Sequence, residues 1–578
     1  VIRLSELNEA TSAEFVALLT GIFEHSPWVA ERAASARPFR SRFHLHEVLQ
    51  VVVADASRDE QLALIRAHPE LGGNLAARGE LTVASAREQK GAGLADCSPE
   101  QLARLRALNA EYVERFGFPF VLAVRGHNTA SIIASLEQRV RNDADSERAV
   151  ALSEIGRIAG FRLADLVEEP LGSQILAMCD SLAQFSEQEQ GLTCSYLTPA
   201  HRQTAAQLRE WMLAAGLETE VDALGNVVGR LQAEDEALSL LTGSHYDTVV
   251  NAGRYDGRLG IVLPIAVAAE LRREGVRLPF SLEIIAFAEE EGVRFKSTFL
   301  GSSAVAGRFN PGVLDSIDTH GLSLRQAMQL AGLDPESIGA VARDPSRLLG
   351  FVEVHIEQGP VLLSEGLPLG VVTSIAGSVR AIVTVTGLAG HAGTVPMRLR
   401  RDAAAAAAEI VLIVESRCAG VEGVVGTVGQ LHVPDGAVNV IPGRCELSID
   451  IRSDEDAARR AAYDDVIAAI DGIAERRKVE IEVRKVLEIG ATPCAPKMQA
   501  RWAQSIRSVT GSSEVRHLPS GAGHDAMMMA AIAPVGMLFV RCGNGGISHH
   551  PSESLTERDA ELAARAFKEF LMDLSSSA

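Results

Sequence analysis

At 578 residues the chain exceeds what one ordinary hydrophobic core organises, and a prior of about 150 residues per domain implies three or four folding units. Its 47% apolar and 22% charged residues are those of a folded globular protein, and the formal charge of −20 argues against the basic surface that nucleic-acid binding needs. A small molecule is therefore the expected partner. The longest apolar runs, within residues 259–271 and 403–414, are too short and too charge-bounded to cross a bilayer, so no membrane partner is expected. Seven scattered Cys without a CxxC pair and an N-terminus without a signal-peptide pattern imply reduced thiols in the cytoplasm.

From Leu4 to about Val167 helical spacing recurs, with a capping-box pattern from Thr11 to Glu14 ahead of FVALLTGIF, and an all-α domain is predicted. Three stretches interrupt it: AHPELGG around His68, ASAREQKGAG around Glu88, and FGFPFVLAVRG. Compact polar loops are where function concentrates. Each residue also has a plain reading. His68 follows a helix and could interact only with its C-terminal dipole, Ser85 and Glu88 have capping-box spacing, and Arg162 could be a helix-surface charge.

Taken together, HPELGG, SAREQKGAGL, FGFPFVLAVRG and GFRLADLV resemble, in order and spacing, the decarboxylases of 2-oxo-4-hydroxy-4-carboxy-5-ureidoimidazoline (OHCU). The resemblance implies a small cofactor-independent helical enzyme that forms (S)-allantoin. The matching positions are His68, Pro69, Ser85, Glu88, Gln89 and Arg162. It implies that hydrogen-bond donors and a cation hold an anionic ureide while His68, oriented by Glu88, handles the proton after carbon dioxide leaves.

Pro and Gly in EEPLG mark a short linker near residue 170. Beyond it helices such as HRQTAAQLREWMLAAG alternate with strands such as NVVGRL, LSLLTGSH and FSLEIIAFA, which argues a layered α/β domain. His245 and Asp247 follow a buried strand, and Asp256 lies in the Gly-flanked turn after them. Glu289, Glu290 and Glu291 end a second strand, His355 shares the polar face of GFVEVHIEQGP with Glu353 and Glu357, and His549 and His550 sit in a Gly-rich loop. Separately these are also what solvated loops look like. Together they supply what two divalent cations sharing a carboxylate require: imidazoles, a bridging Asp, a terminal carboxylate and a free one as proton acceptor.

The motifs GSHYDT, YDG, AEEEGVRF, HIEQGP, GHAGTVPM, NVIPG, DIRS, GAGHDA and ISHHPSE resemble the allantoate amidohydrolase and N-carbamoyl amino acid hydrolase group of dinuclear metallo-aminoacylases. The resemblance implies that His245 and His355 hold one ion, Glu291 and His549 the other, and Asp256 bridges them. Glu290 becomes the general base and Asp247 the carboxylate that orients His245, while His550 is a bystander. Manganese and zinc both suit this N/O set.

Residues 376–488 have a βαβ character of their own and read as an inserted α+β lid. By the same resemblance this domain carries a homodimer contact, supplies His391 to polarise the scissile carbonyl, and grips the substrate carboxylate through Asn439 and Arg452, with Gln358 also in the substrate site. The expected architecture is an all-α domain over residues 1–168, an α/β dinuclear metallohydrolase domain over 172–375 and 489–578, and the inserted domain. The expected function is OHCU decarboxylation coupled on one chain to allantoate hydrolysis. The competing expectation is an N-carbamoyl-L-amino acid amidohydrolase with an inactive helical assembly domain.

Overall fold

The computed structural model describes residues 2–71, 82, 84–86, 88, 97–124, 127–233 and 237–576. Gln89 and the turn containing Gly72, Gly73 and Asn74 lie outside the described residues. Three hydrophobic clusters divide what is described: one from Leu7 to Val167, one joining residues between Leu171 and Ile375 to those between Cys494 and Leu574, and one from Val379 to Val479.

The first cluster is built from helices, the main ones being Arg42–Ala54, Arg58–Arg66, Pro99–Phe116, Thr129–Arg139 and Ala144–Leu166. Their starts follow the local sequence. Thr11 with Glu14, Ser57 with Glu60 and Ser98 with Gln101 each form a reciprocal capping box, satisfying backbone N–H groups that the first turn leaves free. The stretch expected as a linker is instead ordered. Val167–Glu168 pairs in parallel with Ile2–Arg3, and the next helix, Leu171–Leu182, begins at once. Phe43 packs edge-on against Trp211 with ring centroids 5.0 Å apart, and Arg42 donates to the Val167 carbonyl and to Gln174.

The second cluster surrounds a nine-stranded sheet. Its centre is four parallel strands in the spatial order Val535–Val540, Leu348–Ile356, Ser239–His245, Ser281–Phe287. Ser281–Phe287 is buried throughout, as expected of a strand covered on both faces, which is why its apolar run lacks alternation. The chain leaves Ser239–His245 for the strand on one side and returns to the strand on the other, so its loops diverge at the carboxyl edge. Such a switch point opens a crevice for ligands.

The third cluster belongs to an antiparallel sheet of Gly377–Thr386, Arg444–Ser453, Glu480–Ile489 and Val424–Thr427, with Leu431–His432 beside it, packed against helices Ala403–Ala419 and Asp456–Arg477. Every neighbouring pair in this sheet is antiparallel, yet the strands joined by each helix, Gly377–Thr386 to Val424–Thr427 and Arg444–Ser453 to Glu480–Ile489, run in the same direction with one strand between them, so each βαβ unit is split by an intervening strand.

Close backbone approach at Gly243 holds the central pair of the large sheet together: a Cβ there would lie 1.8 Å from the Ile285 carbonyl oxygen. Gly243→Ala should therefore destabilise the hydrolase part by about 1–3 kcal/mol, the usual cost of overpacking, while the helical domain unfolds as before. Scanning calorimetry of the full chain checks this, and an unchanged hydrolase transition would contradict the packing described.

Candidate active sites

Four strand ends converge on the first site. The Ser239–His245 strand ends in His245, the Ser281–Phe287 strand leads into Glu289, Glu290 and Glu291, His355 is the penultimate residue of Leu348–Ile356, and the loop after Val535–Val540 brings His549. Asp256 lies between them. Its Oδ1 is 3.6 Å from His245 Nε2 and 3.2 Å from His355 Nε2, and its Oδ2 is 3.1 Å from His549 Nε2. Glu291 is 3.4 Å from His549 Nε2. Ligand atoms of His245, Asp256 and His355 all lie within 4.8 Å of one another, as do those of Asp256, Glu291 and His549. One carboxylate thus belongs to two ligand groups, one oxygen facing each.

Ring orientation follows from what the other nitrogen does. His355 Nδ1 is 2.8 Å from the Ile356 carbonyl and His245 Nδ1 is 3.1 Å from the Asp247 carbonyl, so each donates there and turns an Nε2 lone pair inward. Asp256 Oδ1 is consequently buried beside Nε2 atoms without a hydrogen-bond donor. The local charge is strongly negative. Burial and the neighbouring carboxylates hold Glu289 well above the usual carboxylate range, and burial with Asp256 raises Glu291 to about 7. The bond to Asp256 raises His549 to about 9. A pocket of inward lone pairs and crowded carboxylates that draws protons onto its imidazoles fits divalent cations in both groups.

The Asp247 carboxylate lies 3.7 Å from His245 Nδ1 and accepts the backbone N–H groups of Glu290 and Glu291, each at 3.1 Å, so it fixes the acidic turn beside His245, while the hydrogen bond from Nδ1 goes to the Asp247 carbonyl. His550 accepts the Ser552 N–H and is absent from both ligand groups, which leaves His549 as the inward histidine.

Glu553 and Ser548, which the sequence did not single out, position Asp256 together with Gln358, expected in the substrate site. Glu553 accepts the Tyr255 N–H at 2.7 Å and the Asp256 N–H at 3.3 Å, the Ser548 hydroxyl lies 2.8 Å from both the Asp256 and Glu553 carboxylates, and Gln358 Nε2 donates to Asp256 Oδ2 at 2.8 Å. Only its place in ISHHPSE, four residues after His549, could have pointed to Glu553. Gly257, at φ +66°, lets the turn close: a Cβ there would lie 2.4 Å from the His245 carbonyl oxygen.

His391 and Asn439 lie together on the smaller domain, where Gly390–His391 pairs with Val440–Ile441 and both side chains are exposed. Arg452 donates to Asp450 and, through Nη1, to the Gly521 carbonyl of the large domain at 2.8 Å.

The second site lies in the helical domain, where His68, Pro69, Ser85, Glu88, Arg162 and the segment from Phe120 to Val124 line one pocket. His68 is buried; its Nδ1 is 2.9 Å from the Leu64 carbonyl, and its buried Nε2 has no hydrogen-bond partner among the described residues. Burial lowers its pKa to about 4 despite the Leu64 bond and nearby Glu24. The expectation that Glu88 orients His68 is corrected. Glu88 instead takes two bonds of 2.9 Å from Nε and Nη2 of Arg162, which is buried rather than a surface charge. Thr82, not Ser85, caps the short helical turn, since the Ser85 N–H reaches Thr82 Oγ1 and the Ala86 N–H the Thr82 carbonyl. That leaves the Ser85 side chain to the pocket.

The model of the peptidase family M20/M25/M40 matches residues 241–573, and the OHCU decarboxylase model matches residues 8–164. The chain belongs to the M20/M25/M40 family. Its helical domain is an OHCU decarboxylase domain joined to that metallohydrolase. Among curated relatives, an allantoate deiminase of Arabidopsis thaliana is 40% identical over 437 residues, covering 70% of this chain and 83% of the relative. An N-carbamoyl-L-amino acid amidohydrolase of Geobacillus stearothermophilus is 38% identical over 375 residues, covering 65% and 91%. The crystal structure of AtUAH in complex with glyoxylate matches with a TM-score of 0.62 at 32% identity, covering 71% of this chain and 98% of that one. An amidase of the hydantoinase/carbamoylase family from Burkholderia multivorans matches with a TM-score of 0.64 at 29% identity, covering 70% and 97%. Among the described residues no helix is long and apolar enough to cross a membrane.

Because Asp256 is shared by both ligand groups, Asp256→Ala should lower bound metal from about two ions per chain to nearly none, whereas Glu291→Gln should lower it to about one. Elemental analysis of the purified variants reads this directly. Two ions retained in Asp256→Ala would remove the bridging assignment.

Proposed function

We propose that the chain is a bifunctional enzyme of ureide breakdown, its helical domain converting OHCU to (S)-allantoin and its M20 part hydrolysing allantoate to ureidoglycine, ammonia and carbon dioxide. The observation that carries the hydrolase reading is the Asp256 carboxylate, shared between an His245/His355 pair and a Glu291/His549 pair. Two divalent ions, manganese or zinc, held by these five residues would polarise a ureido carbonyl and ease ionisation of water.

The chain's own residues divide the remaining work. Glu290, whose backbone is held by Asp247, has its carboxyl group within the same cluster as His245 and Glu291; it takes the proton of the attacking water and returns it to the leaving nitrogen. Arg452 retains one free hydrogen on each Nη after its bonds to Asp450 and Gly521, enough for a substrate carboxylate, and Asn439 and Gln358 complete the substrate contacts. His391 polarises the carbonyl from the smaller domain, acting across a homodimer contact. Exposed Leu388, Met397, Leu399 and Leu412 on that domain support such a contact.

In the helical domain the bond from Nδ1–H to the Leu64 carbonyl fixes the His68 tautomer, so Nε2 presents a lone pair to the pocket. As the bond to the substrate carboxylate breaks, its electron pair moves into the ring C=N, and Nε2 relocates the hydroxyl proton to the adjacent carbon as the carbonyl forms; a solvent proton neutralises the ring nitrogen. Arg162, Ser85, Pro69 and Gln89 bind the ureide.

Allantoate and N-carbamoyl amino acids both present a ureido group beside a carboxylate. The decarboxylase domain favours allantoate, since its product lies one ring opening away. The N-carbamoyl-L-amino acid reading is supported by the 38% identical Geobacillus stearothermophilus relative.

Glu290→Gln should keep its metal and lose about 10²–10⁴-fold in kcat for ammonia release, the range of one general base. Side-by-side kcat/KM for allantoate and several N-carbamoyl-L-amino acids, with manganese or zinc supplied, decides the substrate; a preference for any carbamoyl amino acid would overturn the allantoate assignment. For the helical domain, His68→Ala should abolish decarboxylation by the full chain and leave ammonia release unchanged. Because burial depresses the His68 pKa to about 4, the neutral form persists above that value, so decarboxylation should stay level from pH 8 to about 5 and fall only as pH approaches 4. A fall centred near the ordinary histidine value would place the working proton elsewhere.

A further inference from the structure

Glu24, from the segment FEHSPW between the first helices, is 2% exposed and bonds to Ser85 and Arg162, two residues that line the decarboxylase pocket. Three donors meet on its Oε1: the Thr82 hydroxyl at 2.8 Å, the Ser85 hydroxyl, and Arg162 Nη2 at 3.0 Å. An oxygen that accepts three donors inside a protein is a charged carboxylate oxygen, not a neutral one. Arg162 is thereby gripped from both sides, by Glu24 and by Glu88, while its Nη1 donates to the Gly21 carbonyl at 2.8 Å.

The hydrogen bonds around Ser85 then have a fixed direction. Its single hydroxyl proton is committed to Glu24, and one of its lone pairs takes Arg162 Nη2 at 3.2 Å. What remains on Ser85 Oγ is one lone pair, in a pocket shared with His68. A serine in that state can accept an N–H but cannot donate to an oxygen.

We propose that Glu24 is the positioning residue of this pocket: by holding the Ser85 proton and one arm of Arg162, it makes Ser85 Oγ an acceptor that selects an N–H of the substrate's ureido group. This rests on the decarboxylase reading above and adds to it a residue and a polarity. The substrate carboxylate, an acceptor, is excluded from Ser85 and must be met by other donors. The ureido arm is thus held on the side of the pocket where Ser85 and Arg162 lie.

The test uses the full chain with freshly generated OHCU. Glu24→Gln keeps the shape and an acceptor oxygen but loses the charge that orders the three donors. KM should rise about tenfold or more, with a smaller change in kcat, and (S)-allantoin should bind about tenfold more weakly by calorimetry. Ser85→Ala should show the same KM effect, and adding Glu24→Gln to it should cost little more, because both act on one hydrogen bond. Glu24→Asp, which keeps the charge, should recover part of the loss, and it replaces Glu24→Gln in the cycle if the latter does not fold. Additive effects of the Glu24 and Ser85 substitutions, or unchanged KM and allantoin binding in a folded Glu24→Gln protein, would overturn the proposal. If the unsubstituted chain does not decarboxylate OHCU, the decarboxylase reading fails instead, and the allantoin-binding comparison still judges Glu24.

Discussion

A single buried carboxylate between inward-facing imidazoles is the constraint on which the larger part of this protein depends. Asp256 can stand within 3.2 Å of His355 and 3.1 Å of His549 only because Gly257 removes a side chain from its turn and Glu553 fixes its backbone. The sheet meets the same demand at larger scale, since four parallel strands must end level with one another for their loops to converge. Crowding five acidic groups, Asp247, Asp256, Glu289, Glu290 and Glu291, at one edge is costly in the absence of cations. Like charges in a dry site suppress each other's ionisation. The fold therefore carries a charge deficit that two divalent ions would remove, which is a reason for metal binding and stability of the site to be linked.

The helical domain solves the opposite problem. It gathers two carboxylates, Glu24 and Glu88, around the protein's own cation, Arg162, and needs no external charge to do so. Its histidine is kept neutral by burial instead of being drawn to the protonated form by acidic neighbours, as His549 is. One chain thus holds two imidazole sites of contrary electrostatics. In one, histidine lone pairs face a cation position; in the other, a histidine lone pair faces the substrate.

The helix Ala144–Leu166 links the two parts physically. Its Glu154 accepts the Ala123 N–H at 2.8 Å, in the segment that lines the decarboxylase pocket, and its Arg157 pairs with both Glu154 and Glu210 of the hydrolase part. The Arg157–Glu210 pair is partly exposed and is worth about 1 kcal/mol or less. Apolar contact such as that of Phe43 with Trp211 contributes the larger share of the junction.

Much of this was legible in the residues themselves. Helix starts are local, because a capping box involves groups three residues apart, and Thr11 with Glu14 declares one whatever the tertiary context. The candidate metal-binding groups were legible because strand ends are marked by apolar runs that stop at Gly, Asp and Glu, and because motif spacing carried the resemblance. Contacts between distant segments were not. Asp247 and Glu88 are acidic residues beside a histidine in sequence or motif, yet Asp247 accepts its hydrogen bonds from the backbone of Glu290 and Glu291 and Glu88 accepts from Arg162. Glu24 is 138 residues from Arg162 and gave no local signal at all. A carboxylate satisfies whichever donor the packed chain brings within about 3 Å, and that choice is made only when helices and strands remote in sequence close around it.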